Sequence, residues 1–557
     1  MPEPYFSILT PIYDTPADVL SAMLDSVRHQ SFADWELCLV DDCSPRPEVF
    51  SQLERAAALD PRIKVMRRVD NGGIVAASND ALAMARGEFV ALLDHDDELH
   101  PDALAHVHEE LLAEPEGDYV YTDEDKIDRD GHHSGPFFKP DWSPERMRTQ
   151  MYTCHLSVFR RSLVEEVGGF DPEFEGSQDW DLVLKVTERA RKVLHVPRVL
   201  YHWRTLETSA AGGGVEAKPW AFEAGMRAVQ AHCERIGLEA RVERDETDAG
   251  VYHLLPALSR EPSVSIVIPT AGQYREVRYE DVVLVSHCVR SIVAESTYSN
   301  YEIVVVHDPD ADPRLLAELE QIAGDRLRPV VYDAPGPFNF SAKVNLGAVH
   351  GKGEQIVLLN DDIEVATPDW LERMVMYSQF EEIGAVGGRL TVQDGRLQHV
   401  GIRFENGLPG HPYYGFSAEF RGYANAVRVA QDCLAVTGAC LMTRRELFEQ
   451  VGGFSTTFPL NYNDVDYCLK LRDLGKRCVY DPDLWMWHFE SSSRSSAVEE
   501  WEKDLLLQRW LRLTAVDPYS NPNLRRETPR LISPFVWALQ RRYRLVAPIA
   551  ERIASLK

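Results

Sequence analysis

Cysteine is sparse in this chain, nine among 557 residues, and none of the nine falls in a CxxC pair or at a metal-ligand spacing. A disulfide frame and a thiolate zinc site are thereby excluded, and free thiols in packed cores fit a reducing cytoplasm. Positive charge is in deficit: 59 Lys and Arg stand against 88 Asp and Glu, a formal net charge of −29. Nucleic-acid binding needs a basic face, so that class of partner is set aside. An acidic protein that handles phosphates would do so through a divalent cation. Long apolar runs are missing too. No stretch approaches the roughly 18 residues needed to cross a bilayer, and the N-terminus lacks a signal-peptide pattern. What remains is expected to be a cytoplasmic chain of ordinary globular composition, 44% hydrophobic and 26% charged, long enough for two to four domains.

The stretch that organises it is Phe89-Val90-Ala91-Leu92-Leu93-Asp94-His95-Asp96-Asp97. Five apolar residues read as a strand buried on both faces, ending abruptly in acids. Open α/β sheets bind ligands at that edge, and carboxylates packed so closely hold a cation or face solvent. The pattern recurs at Gln355-Ile356-Val357-Leu358-Leu359-Asn360-Asp361-Asp362. Asp42, Asn79, Gly87 and Asp96 each have an identical residue 266 positions later, at Asp308, Asn345, Gly353 and Asp362. The offset is 284 for Gly168-Gly169-Phe170 and Gly452-Gly453-Phe454, 285 for Asp179 and Asp464, and 286 for His202 and His488. An offset that holds and then widens by insertion means two copies of one domain, the second carrying about 18 extra residues (284 − 266) around Gly387 to Tyr414.

Within the first copy, apolar runs at Phe6–Tyr13, Trp35–Val40, Ile63–Met66 and Tyr119–Asp123 predict strands. Helical spacing over Asp18–Gln30, Glu48–Leu59 and Ala76–Ala85 fills the gaps, so the fold class is α/β with a parallel, doubly wound sheet. A helix over Trp220–Ile236 and one strand near Val251–Leu254 make a connector. The domains expected are a first copy over 1–215, a helical connector over 216–261, a second copy over 262–500 and a helical extension over 501–557. Ala210 to Gly214 is a Gly-rich candidate for a mobile loop. The tail over 531–557 mixes Phe535, Trp537 and Leu539 with Arg541, Arg542 and Arg544, a composition that can lie on an anionic membrane surface or pack as a helix on the second domain or at a dimer interface.

The polar groups at the strand ends support a definite chemistry. A carboxylate at Asp42 can accept the N3–H of uracil or thymine, which cytosine lacks. Asp96 with His202 could hold Mg²⁺ or Mn²⁺ against a diphosphate. Asp179, ahead of a helix, is a candidate general base for a sugar hydroxyl, or a helix N-cap, or both.

Taken as a set, both copies resemble the catalytic domain of inverting family-2 glycosyltransferases of the GT-A fold. The motifs are Pro11-Ile12-Tyr13, Val40-Asp41-Asp42, Asp94-His95-Asp96, Gly168-Gly169-Phe170 and Gln178-Asp179-Trp180-Asp181-Leu182, with Ile268-Pro269-Thr270, Leu359-Asn360-Asp361-Asp362, Val436-Thr437-Gly438-Ala439 and Asn463-Asp464-Val465-Asp466 in the second copy. The tandem arrangement is similar to that of bacterial enzymes that build O-antigen, capsule or other surface polysaccharides, rhamnose-containing ones among them. The resemblance implies that Pro11, Tyr13 and Asp42 line a nucleoside site, Asp94 meets the ribose, Asp96 and His202 hold the metal and Asp179 is the base. In the second copy it assigns Pro269 and Asp308 to the nucleoside, Asn360 to the ribose, Asp362 and His488 to the metal and Asp464 to the base. The implied reaction is a single inverting displacement from a UDP- or dTDP-sugar to a lipid-linked or oligosaccharide acceptor. Two alternatives stand beside a bifunctional enzyme: one live site with a copy that grips the acceptor, and a glycan-binding scaffold. A nucleotidyltransferase is disfavoured, since Thr10-Pro11-Ile12-Tyr13 is not a Gly-rich phosphate loop.

Overall fold

The computed structural model describes residues 3–205, 219–489 and 498–524. The apolar runs of the first half become strands β1 (Phe6–Ile12), β2 (Trp35–Asp41), β3 (Ile63–Arg67), β4 (Phe89–Leu92), β5 (Glu98–Leu99), β6 (Gly117–Ile127), β7 (His133–Phe137), β8 (Ser157–Arg160) and β9 (Lys192–Arg204). They order across one sheet as β3-β2-β1-β4-β8-β6-β9-β5, with β7 on β6. A helix, Pro219–Ile236, and an antiparallel hairpin, β10 (Ala240–Arg244) and β11 (Tyr252–Pro256), link the halves. The connector thus has two strands where the sequence suggested one, because β11 needs a partner for its backbone groups.

The second half supplies β12 (Val264–Pro269), β13 (Tyr274–Val277), β14 (Glu280–Val283), β15 (Tyr301–His307), β16 (Leu327–Val331), β17 (Gln355–Leu359), β18 (Ile363–Val365), β19 (Ile383–Thr391), β20 (Leu397–His399), β21 (Arg403–Glu405), β22 (Leu408–Gly410), β23 (Gln431–Cys433), β24 (Cys440–Arg444) and β25 (Arg477–His488). Its sheet runs β16-β15-β12-β17-β24-β19-β25-β18, strand for strand the order of the first. β12 begins 258 positions after β1 (264 − 6), while β15 begins 266 after β2 (301 − 35), so eight residues enter here and form the β13–β14 hairpin.

The expectation of a parallel sheet holds for half of each copy. β1 runs parallel to β2 and β4, but β4 and β6 both flank β8 in antiparallel pairing. The chain reaches β8 after reversing through the short buried helix Pro144–Thr149, not through a crossover helix laid on the sheet. Helix Ala17–Arg28 shows what fixes the layers: Val19, Leu20, Met23, Leu24 and Val27 are buried at helical spacing. Five such side chains contribute roughly 10 kcal/mol of gross apolar burial, before chain entropy is set against it.

The halves are bonded together by polar groups. Ser143 caps helix Pro144–Thr149 and accepts the Asp432 N–H at 2.9 Å. Arg477 of the second half pairs with Asp432 at 2.8 Å and with Glu145 of the first. Near the last described residue the chain returns to the first half, where the Asn521 amide donates to both oxygens of buried Asp123 at 3.0 and 2.9 Å. His253 of the connector hairpin sits between Asp483 (2.8 Å) and Asp245 (2.9 Å). Burial opposes its charge, but the two carboxylates outweigh burial and raise its pKa to about 9. A raised histidine stabilises fully below its unfolded pKa and loses that contribution as pH rises through the folded value. The unfolding free energy is therefore expected to fall between about pH 6.5 and pH 9 by at most about 3 kcal/mol, and His253→Gln to remove that slope.

The Gly-rich segment and the basic tail both lie outside the described residues. Among the described residues no helix is long and apolar enough to cross a membrane.

Candidate functional site

In each copy the named residues converge on the edge where the first strands end. Asp42 follows β2, and its carboxylate receives the N–H groups of Gly72 and Gly73 at 2.8 Å each, with Arg68 Nε at 3.0 Å. It thereby holds the turn into helix Gly73–Met84, so an imide N–H would be a further donor to a carboxylate already fixed in place. Pro11 lies near the end of β1, and Tyr13 beyond it is half exposed over the same edge.

β4 ends at the acidic turn. Buried Asp97 anchors it, accepting the Tyr201 hydroxyl at 2.5 Å and the Arg204 N–H at 2.7 Å. Burial, then the charges of Asp94 and Asp96, push Asp97 well above the usual carboxylate range. Asp96 is raised as well, by burial first; His95 lowers it and Asp94 raises it. Carboxylates lifted by one another in this way favour a bound cation or proton.

Asp179 is the second residue of helix Gln178–Thr187, and Ser177, not Asp179, is at the N-cap. Its Oδ1 accepts the Trp180 N–H at 2.9 Å. Burial raises its pKa, His155 lowers it and Asp94 raises it. His155 and Asp94 thus stand near it in the field it feels.

His202 does not pair with Asp96. Strand register sets Asp125 of β6 opposite His202 of β9, and the Nδ1–H donates to Asp125 Oδ1 at 2.6 Å. His133 on β7 meets the other oxygen at 3.0 Å, so Asp125, His133 and His202 bring three ligating atoms within 4.8 Å of one another. Nothing in the sequence spacing marks Asp125 or His133 as a neighbour of His202. The in-register carboxylate wins because it lies on the adjacent strand, whereas Asp96 is on a separate turn.

The second copy does bring its expected pair together. His488 Nε2 lies 3.0 Å from Asp362 Oδ1, while His488 Nδ1 meets Gln398 Oε1 at 2.5 Å. An amide oxygen only accepts, so Nδ1 carries a proton, and Nε2 faces the Asp362 carboxylate. Two acceptors at that distance need a proton or a cation between them, and an imidazole held at its far nitrogen is the usual metal-ligand arrangement. Asp125 plays the part of Gln398 for His202. The donors, carboxylate oxygen and imidazole nitrogen, fit Mg²⁺ or Mn²⁺.

Asp464 is again the second residue of its helix, Asn463–Asp473. Gly438 N donates to its Oδ2 and Val465 N to its Oδ1, both at 2.8 Å. Asp308 pairs with buried Lys343 at 2.8 Å, and Lys343 also donates to Thr270 O beside Pro269. A lysine thus does here what Arg68 does for Asp42. Asp361 accepts the Thr270 hydroxyl at 2.6 Å, and Asn360 N donates to Ala439 O at 3.0 Å.

Other repeated residues prove to be scaffolding. Asn79 bonds both the N–H and the C=O of Phe170, and Asn345 does the same for Phe454. Gly169 and Gly453 lie at positive φ, and a Cβ there would sit 2.7 and 2.6 Å from the asparagine oxygens. Lys185 donates to Gly169 O and pairs with buried Asp181; Lys470, Gly453 and Asp466 repeat this. These clamps fix helices Gln178–Thr187 and Asn463–Asp473 against the Gly-Gly-Phe turns, and those turns against the helices that carry Asn79 and Asn345.

Comparison with known proteins agrees with the duplication. The description "Glycosyl transferase family 2" matches residues 7–168, and "Glycosyltransferase like family 2" matches residues 262–511. The chain is 40% identical to Sinorhizobium fredii protein y4gI over 94% of its own length and 58% of that protein's. It is 36% identical to the O-antigen biosynthesis protein RfbC of Myxococcus xanthus, over 94% of its own length and 40% of the other. It thus spans about half the length of these curated relatives. Among solved structures, Staphylococcus aureus TarS 1–349 in complex with UDP-GlcNAc is 21% identical, covering 41% of this chain and 66% of that one at a TM-score of 0.34.

Proposed function

From a chain that belongs to glycosyltransferase family 2 and carries two copies of its GT-A domain, we infer a bifunctional, inverting transferase. It moves sugars from UDP- or dTDP-sugars to a growing surface polysaccharide of the O-antigen or capsule kind, on the cytoplasmic face of the membrane. The observation that carries this is the constellation found twice: a carboxylate turn after a buried strand, an aspartate in the first turn of the facing helix, and a histidine whose Nδ1 is held by a neighbouring acceptor.

In this reading Asp179 and Asp464 take the proton of the acceptor hydroxyl as it attacks the anomeric carbon from the face opposite the nucleotide. Tyr13, Pro11 and Asp42, and Pro269 and Asp308, hold the nucleoside; Asp94 and Asn360 bond the ribose. Asp96 with His202, and Asp362 with His488, would hold a divalent cation, which when bound would supply charge stabilisation for the departing diphosphate. In the first copy Asp125 would orient His202, and that ring would have to present Nε2 toward Asp96.

The test is nucleoside diphosphate release from a panel of UDP- and dTDP-sugars with Mn²⁺ or Mg²⁺ and oligosaccharide or lipid-linked acceptors. His488→Ala is expected to weaken Mn²⁺ binding at one of two sites by at least tenfold in calorimetry and to stop one addition. Unchanged stoichiometry and affinity would remove His488 from the metal site.

A further inference from the structure

The second copy differs from the first most in the stretch after β19, and that stretch carries rings on its surface. Tyr414, Phe416 and Phe420 are 55%, 50% and 38% exposed. Phe416 and Phe420 lie 4.6 Å apart between ring centres, with Tyr413 at 6.3 and 5.5 Å from them. Rings gathered in one exposed place, unlike rings scattered singly, mark a binding surface.

The backbone beneath these rings is tied to the second site. Leu397 N donates to Phe416 O at 2.7 Å and Gly415 N to Leu397 O at 2.8 Å. Leu397 precedes Gln398, which holds His488. His399 meets His411 at 3.0 Å, two residues before Tyr413. The other end of the same segment reaches the first copy. Tyr423 OH donates to Pro136 O at 3.0 Å and accepts the Phe138 N–H at 2.8 Å, and Tyr423 N donates to Tyr413 OH at 3.1 Å. Pro136 is three residues from His133, which shares Asp125 with His202. One segment therefore runs from the metal-type pair of one copy to the His–Asp cluster of the other.

Resting on the transferase reading, we propose that Tyr413, Tyr414, Phe416 and Phe420 form a platform on which the growing glycan acceptor lies between the two sites. A pyranose ring offers C–H groups on its faces and hydroxyls at its rim, so it stacks on an aromatic face while its rim stays wet or bonds polar neighbours. Exposed His411, Glu419 and the nearby Arg421 supply such neighbours. Size favours a small ligand over a second protein. Three half-exposed rings offer roughly 300 Å², taking about 200 Å² per ring, against about 800 Å² per partner in a stable protein interface.

The test uses the full chain, wild type and Phe416→Ala/Phe420→Ala, on a microarray of bacterial surface oligosaccharides of graded length. Wild type should retain the longer oligosaccharides, and the variant should bind them at least tenfold more weakly. Nucleoside diphosphate release from donor alone should be equal in both proteins, showing the two sites intact. Equal array binding by the two proteins, or no glycan retained by wild type, overturns the platform. So does a variant whose only change is dimer to monomer in sedimentation velocity, since the rings would then be a self-contact. Failure of wild type to release nucleoside diphosphate sinks the transferase reading separately, because the array reads binding alone.

Discussion

Asp179→Asn and Asp464→Asn should each abolish a different sugar addition, lowering its rate by about 10²- to 10⁴-fold while leaving donor binding nearly unchanged. The argument starts from position. Both aspartates are second in a helix whose N-terminus faces the acidic turn, and a carboxamide keeps their shape while losing the basic oxygen. The two replacements are not equivalent in stability. Asp179 accepts a single described hydrogen bond, from Trp180 N, which the amide oxygen introduced by Asp179→Asn can keep. Asp464 accepts one N–H on each oxygen, so Asp464→Asn turns an NH₂ toward a backbone donor and should cost about 1–3 kcal/mol. Circular dichroism and a denaturant midpoint would separate that cost from lost chemistry. The pH profile adds an independent signature. Asp179 must be ionised to act, and its pKa is raised by burial, so the acid limb of the first addition should lie above the usual carboxylate range near pH 4. Product mass reads which sugar is missing. If only Asp179→Asn matters, the second copy is an acceptor-binding domain; if neither does, the base assignment is wrong in both.

The largest effect on stability is expected from Arg477→Ala. Arg477 is the shared cation of buried Glu145 and Asp432, one from each half of the molecule. Burial alone would raise Glu145, yet Arg477 and then Arg148 hold it down to about 2, whereas Asp432 is pushed up to about 7 by burial and by Glu145. Removing one partner of a buried pair typically costs 3–5 kcal/mol, about that range here, because the other charge is left unneutralised. Guanidinium unfolding should show the loss, and adding Glu145→Gln and Asp432→Asn to Arg477→Met should recover most of it. The pH dependence has opposite signs for the two acids. Glu145 has a depressed pKa, so its contribution is present above its unfolded value and is lost as pH falls toward about 2. Asp432 has a raised one, so stability declines as pH rises from its unfolded value to about 7. A variant with unchanged midpoint and unchanged slope would show that the pair contributes nothing.

Much of this was legible in the residues because it depends on local pattern. Five apolar positions before Asp94 dictate a buried strand, and identical residues at a fixed offset dictate a second copy with the same strand order. The strand ends and helix starts that carry Asp42, Asp96 and Asp179 can be placed from periodicity. What could not be read is whatever depends on partners far apart in sequence. Nothing near His202 announces that Asp125 will stand in register beside it, and nothing near His488 announces Gln398. The parallel sheet was expected from alternation alone, which cannot tell a crossover helix from the short reversing helix before β8. Repetition alone does not tell purpose: Asn79, Gly169 and Asp181 recur as faithfully as Asp179, and they hold the scaffold.

The return of the chain near Asn521 bears on how such a molecule could be divided. Asp123 lies in the first half, wholly buried, and both its oxygens accept from an amide some four hundred positions downstream. A cut in the connector would leave the leading half with a strand-end anion whose amide partner belongs to the other fragment, beside a His195 that already leans on the same carboxylate. The leading fragment should thus be obtained in folded form only when the trailing one is co-expressed with it. The two halves of a doubled sequence are thus held as one folded object.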